Sequence, residues 1–218
     1  MFFPYKDDNP RVLFPFMNYG IIILNTVIFL GQFLISGRDA QLGIAVVYTF
    51  GFVPAEFNTS TIFTSMFIHS GFAHILGNMW FLYIFGDNVE SILGHFKYFI
   101  FYIVCGVIAA LIQFIIDPDS QVPMVGASGA IAGVLGAYMI RFPSARVHVF
   151  AIIIMFITKF VVPANIVLGL WFLMQLSGGL SSLGVDTTGG VAWFAHIGGF
   201  VAGVASLNFF QKFRVEKI

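Results

Sequence analysis

The chain has 218 residues, of which 59% are hydrophobic and only 9% charged, far below the roughly 25% charged share of a soluble globular domain; this is the composition of a membrane protein. Ten basic and ten acidic residues cancel and form no basic block that could track phosphates, which argues against nucleic acid as a partner. The single cysteine, Cys105, excludes an internal disulfide and any cysteine-based metal cluster.

Residues 1–9 carry Pro4, Lys6, Asp7 and Asp8 ahead of the first long apolar run. A cleaved signal peptide has a different pattern, so that run reads as a retained span. A spanning helix needs about 20 mostly apolar residues, or fewer where it starts inside the protein. Six stretches meet the rule, at residues 17–35, 72–93, 95–116, 128–140, 162–177 and 191–210. The connection 36–71 is broken by Gly43, Gly51 and Pro54 yet rich in Phe, Val and Ile. It reads as a loop on or in the membrane interface, since irregular backbone at membrane depth must be shielded. Residues 147–177 exceed one span and contain Lys159 and Pro163. They divide into a segment along one interface, 147–159, and a fifth span with Pro163 in its first turn, where a missing N–H does little harm. A Gly/Ser-rich loop, 177–190, precedes the last span. No repeat or low-complexity segment interrupts the chain, which reads as one domain over residues 1–218. The fold class is an all-α membrane protein, a bundle of six transmembrane helices.

Lys and Arg accumulate on the cytoplasmic side of membrane proteins. Lys6, Arg11, Lys97, Arg141, Arg146, Lys159, Lys212, Arg214 and Lys217 fall on one side of the six-span layout, and Arg38 alone on the other. Both termini are therefore expected in the cytoplasm, and Ser128 toward the outer face.

Ser128 lies in the run Gly126-Ala127-Ser128-Gly129-Ala130, where a loop enters an apolar helix. A serine there is either a helix cap or a nucleophile, which needs a base at matching depth and donors for an oxyanion. Polar side chains inside spans are costly and mark candidate sites. The second span has His69 just before it and His74 and Asn78 within it, the last two one turn apart on one face. In the sixth span, His196 shares a face with Gly199 and Gly203, and such stripes let membrane helices approach closely. The fourth span is equally thin at Gly129, Ala132, Gly133 and Gly136. At a rise of about 1.5 Å per residue, Ser128 lies about 20 Å from Arg141, His196 about 24 Å from Lys212 and Asn78 about 18 Å from Glu90. With an apolar core about 30 Å thick, these groups fall in the outer half of the membrane, Ser128 roughly 10 Å below its surface. His95 and His148 read as surface residues, and no acid is forced against His196, so a dyad is expected rather than a triad.

Together, Gly126-Ala127-Ser128-Gly129, Ala195-His196-x-Gly198-Gly199-x-x-x-Gly203 and His69-x4-His74-x3-Asn78 resemble the rhomboid intramembrane serine proteases over nearly the whole chain. The resemblance implies that Ser128 attacks a peptide carbonyl with His196 as base and then acid. The Ser128 N–H, His74 and Asn78 hold the oxyanion, and Gly126, Gly129 and His69 support substrate or site. It also implies single-span membrane proteins as substrates, the lipid bilayer as setting, and no metal, nucleic acid or other cofactor. The loop 177–190 would cap the site and the fifth span would be a lateral gate, in the plasma membrane of a prokaryote.

Two departures stand out. The loop 36–71 lacks the Trp-Arg pair of many relatives. Some relatives pack an aromatic residue, four positions after the serine, on the histidine; here that position is Ala132, leaving Phe81, Trp193 or Phe194 as substitutes. Two other functional classes remain open: a catalytically silent relative that binds client helices, and a small channel or transporter. The second needs a polar path to the inner face, where spans two, four and six are read as apolar and small.

Overall fold

The computed structural model describes residues 2–153, 156–183 and 190–211. The long helices are α1 (Phe16–Arg38), α4 (Phe72–Leu93), α5 (His95–Ile116), α6 (Ser128–Arg141), α7 (Ala164–Ser182) and α8 (Trp193–Gln211). Among the described residues, α1, α5, α7 and α8 are long and apolar enough to cross a membrane. The other two differ for visible reasons. Helix α4 ends in buried Asp87, Asn88, Glu90 and Ser91, so the inner half of this span is not apolar as its reading has it, and α6 has only 14 residues, about 21 Å of rise.

The connection expected as a loop is largely helical. It holds α2 (Ala40–Phe50), α3 (Thr59–Thr64) and two single 3₁₀ turns. Its breaks act as caps rather than as loop formers. Asp39 Oδ1 accepts from the N–H groups of Gln41 and Leu42 at the start of α2, and Asn58 Oδ1 accepts from Ser60 N–H at the start of α3, each satisfying donors that a first turn leaves free.

An all-α description needs amending, because β1 (Phe2–Asp7), β2 (Arg146–Ile153) and β3 (Phe156–Pro163) form an antiparallel sheet in the order β1-β2-β3. The segment placed along one interface is thus a hairpin. Its period is two: Val147 and Val149 are buried while Arg146 and His148 are not, the pattern of a half-buried strand. Strand β1 contains Pro4, which an edge strand tolerates. The register shifts between Pro4 and Lys6, and the Trp80 indole donates to the Pro4 carbonyl at 2.7 Å. Pro163 ends β3 and is the N-cap of α7 rather than part of its first turn. Helix α7 continues to Ser182, so the expected 177–190 loop is partly helix, and residues 184–189 lie outside the described part of the chain.

Polar side chains tie the elements together at the end opposite Ser128. The buried Glu90 carboxylate accepts from Met17 N–H (3.0 Å) and Asn18 N–H (2.7 Å), placing negative charge at the positive end of α1. It also meets His95. Asn18 donates to the Leu82 carbonyl and accepts from Tyr98, and Arg11 pairs with Asp87 at 3.2 Å. Gly94, at φ 79°, makes the turn from α4 to α5, a conformation glycine adopts without a Cβ penalty.

Asp7 anchors β1 by accepting from Tyr138 and Asn88. Burial is the main cause that pushes its carboxyl up to about 6, with the neighbouring Asp87 charge adding to it and the Tyr138 bond opposing it. A folded-state value above the unfolded one means that the docked strand binds the proton more tightly. Docking is then strongest below the unfolded value and weakens as pH rises through about 6. After allowance for screening, the effect is on the order of 1 kcal/mol. Amide protection of residues 2–7, corrected for intrinsic exchange, is expected to fall between about pH 4 and 6, the interval between the unfolded and folded values, and to become flat in Asp7→Asn. A wild-type profile as flat as that of the variant would sink the prediction.

Candidate active site

Ser128 is the first residue of α6 and follows the N-cap Ala127. The N-cap position is thus an alanine, which has no side-chain cap bond, and the serine hydroxyl one residue on meets His196 instead. A residue at this position has no intrahelical acceptor for its N–H, which points out along the positive end of the helix. The approach to it is set by Gly126, at φ 112°, whose N–H donates to the Ser65 carbonyl at 2.9 Å. A Cβ at Gly126 would lie 2.5 Å from His74 Nε2 and 3.3 Å from Asn78 Nδ2. Glycine is therefore required twice, by the backbone angle and by the space.

The histidine on α8 reaches the serine because α6 and α8 touch backbone to backbone. A Cβ on Gly199 would run into the Gly129 carbonyl, and one on Gly203 into that of Gly133. On the far side of the seam, Gly129 and Gly133 lie against Ala109 and Cys105 of α5. Gln113 of α5 accepts from Ala195 N–H at 3.3 Å, capping the first turn of α8. With the helices this close, His196 Nε2 lies 2.7 Å from Ser128 Oγ.

The other ring nitrogen, Nδ1, lies 2.8 Å from Gln175 Oε1 on α7, and the Trp171 ring lies 6.0 Å from the imidazole. The aromatic that packs on His196 in place of one at Ala132 is thus Trp171, and not Phe81, Trp193 or Phe194. The signal for Gln175 was an amide inside an apolar span, the same that exposed Asn78.

On α4, His74 Nδ1 meets Ser70 Oγ at 2.9 Å and Ser70 N–H at 3.5 Å. A backbone N–H only donates, so Nδ1 accepts and Nε2 carries the ring proton on the side of Gly126. Asn78 is buried, and its Nδ2 has no partner among the described residues. Two donors of α4 thus point at the space in front of Ser128. His69 is not brought to the serine. Its backbone is held by both ends of the Gln32 amide, its ring packs edge-on against Phe29 and His74, and neither ring nitrogen has a partner among the described residues.

His74, Asn78, Gly126, Ser128, Trp171 and His196 line one cavity of about 650 Å³. Among the described residues no group of three or more His, Cys, Asp or Glu side chains could hold a metal ion. The arrangement offers a hydroxyl, a base in contact with it and convergent N–H donors, the set used in acyl transfer.

Residues 56–212 match the Rhomboid domain. The chain is similar to Rhomboid-like protein 11, chloroplastic, of Arabidopsis thaliana, 35% identical over 115 residues that are 53% of this chain and 38% of that protein. It is similar to Rhomboid protein 1, mitochondrial, of Saccharomyces cerevisiae, 30% identical over 149 residues, 66% of this chain and 40% of that one. Rhomboid protease GluP of Bacillus subtilis is 29% identical over 142 residues, 65% of this chain and 24% of its own length. The chain thus spans about two fifths or less of each of these relatives.

Proposed function

We propose that this chain, which belongs to the rhomboid family, is an intramembrane serine endopeptidase that cuts single-span membrane proteins in or near their membrane helix. The observation that carries the reading is the 2.7 Å contact between Ser128 Oγ and His196 Nε2, facing donors from a third helix. Ser128 attacks the scissile carbonyl carbon while His196 takes its proton. The oxyanion is held by the Ser128 N–H, His74 Nε2–H and Asn78 Nδ2–H. When the C–N bond breaks, His196 gives the proton to the leaving amine. Water then attacks the acyl-enzyme through the same base, and Ser128 is restored.

The six-span layout with a cytoplasmic N-terminal strand belongs to this proposal. It is supported by the gathering of Lys6, Arg11, Arg146 and Lys159 around β1, β2 and β3, at the end of the bundle away from Ser128. Lys97 donates to the Phe210 carbonyl, which puts the end of α8 at the same level. Ser128 then opens toward the outer face, and a prokaryotic plasma membrane is part of the same proposal.

Purified protein in liposomes, given several single-span reporters and a fluorophosphonate, is expected to cut at least one reporter and to take label on Ser128. Failure of both overturns the reading. Removing one oxyanion donor typically lowers kcat by about 10² to 10³. His74→Ala and Asn78→Ala are each expected at the lower end of that range with little change in KM. Steady-state kinetics on a cleaved reporter test this, and a variant that keeps kcat within about 2-fold is not an oxyanion donor.

A further inference from the structure

We propose that Gln175 is a positioning residue that holds His196 in the one tautomer able to accept the Ser128 proton. The inference rests on the Ser–His reading above. Gln175 is buried, at 6% exposure, in a mostly apolar helix, where an amide side chain has to find partners. Its two ends are distinguishable by what they meet. Gln175 Nε2 lies 3.2 Å from the Trp171 carbonyl one turn earlier, and a carbonyl only accepts, so this end is the NH₂ group. The other end is Oε1, 2.8 Å from His196 Nδ1. An amide oxygen also only accepts, so Nδ1 must carry the ring proton. A neutral imidazole has a single N–H, which leaves a lone pair on Nε2, 2.7 Å from Ser128 Oγ.

The direction of every bond from the Trp171 carbonyl to the serine hydroxyl follows from that one turn of α7. The Trp171 ring adds a second contact from the same turn, packing on both His196 and Phe200. Support for the base comes from α7, whereas Ala132, four residues after the serine on α6, has no side chain long enough to give it. Helix α7 is seated for this task farther along, where Gly178 leaves room for the Trp193 ring and a Cβ would lie 2.6 Å from it.

Without an acceptor at Nδ1, the imidazole can carry its proton on Nε2, a form that cannot take a proton from Ser128. In proteases with a Ser-His-Asp triad an inverted tautomer costs about 10⁴ in kcat, and here the correct form is only depleted rather than forbidden. Gln175→Leu is therefore expected to lower kcat about 10- to 100-fold with KM changed less than about 3-fold. Gln175→Met, of similar length, guards against a packing fault, and Gln175→Glu, which keeps an oxygen acceptor, is expected to recover most of kcat.

The deciding readout is independent of turnover. Ring-¹⁵N-labelled histidine is observed by NMR in Ser128→Ala protein, where no serine hydroxyl biases the ring. With Gln175 present, His196 is expected with Nδ1 protonated and Nε2 bare; in the Gln175→Leu and Gln175→Met backgrounds the Nε2-protonated form is expected to gain at its expense. An unchanged tautomer in both overturns the proposal, as does a loss of activity confined to KM or to thermal stability. Should no reporter be cut while the tautomer follows Gln175, the protease reading fails and the positioning role stands.

Discussion

Ser128→Ala and His196→Ala are each expected to abolish reporter cleavage, lowering kcat/KM by about 10⁴-fold or more, while the protein folds as before. The size follows from what each change removes. Without Oγ no acyl-enzyme forms, and without Nε2 the hydroxyl loses the side chain that accepts its proton. Both side chains are small or half-buried parts of an otherwise apolar seam, so truncation leaves the α6–α8 backbone contact intact. Fluorophosphonate labelling separates the two roles. Ser128→Ala is expected to take no label at all, and His196→Ala to label far more slowly than wild type. Label retained in Ser128→Ala places the nucleophile elsewhere, and cleavage surviving His196→Ala means that another group serves as base.

The parts of this site that can be read from sequence are those carried by unusual residue types at a fixed helical spacing. Ser128 and His196 stand among glycines and alanines in spans that would otherwise be filled with Leu, Ile and Phe, and His74 and Asn78 lie one turn apart on one face. What periodicity does not show is which helix faces which. Gln175 and Trp171 sit on α7, 21 residues or more from His196, and only the packing of α7 on α8 makes them neighbours of the base. The same holds for Gln32, which grips the loop at His69 from α1, and for Gln113, which caps α8 from α5. Each is an amide in an apolar helix, a visible signal whose target is not.

The small sheet was hidden for a different reason. Residues 146–163 are apolar enough to be read as interfacial or spanning, and a short apolar run fits helix or strand alike until its alternation is counted. Strand β1 is harder still, because Pro4 and a charged end argue against a strand. It is pairing with β2 and the Trp80 contact to Pro4 that give it a place. In the connection 36–71, glycine and proline suggest irregular backbone, whereas Asp39 and Asn58 supply the caps that let short helices form between those breaks.

Gly203→Val is expected to be the most damaging substitution outside the chemical groups. A Cβ at this position would meet the carbonyl oxygen of Gly133 and, at 2.6 Å, its Cα and carbonyl carbon. These are backbone atoms of a packed helix, with no flexible side chain that could turn aside, so the two helices have to separate. Overpacking of a close seam typically costs about 1–3 kcal/mol, more where backbone must move, and about 3 kcal/mol or more is expected here. Gly169→Val on α7 is the matched control, since nothing lies within 4 Å of a Cβ there. Thermal unfolding in detergent is expected to show a clear drop for Gly203→Val and little change for Gly169→Val; equal midpoints would mean that the seam yields. The folded fraction of Gly203→Val carries the sharper consequence. Gly129 and Gly199 continue the same seam toward the site, beside Ser128 and within one turn of His196. Opening it at Gly203 therefore lengthens the 2.7 Å contact between base and nucleophile, and fluorophosphonate labelling per folded molecule is expected to fall although no reacting group has been touched.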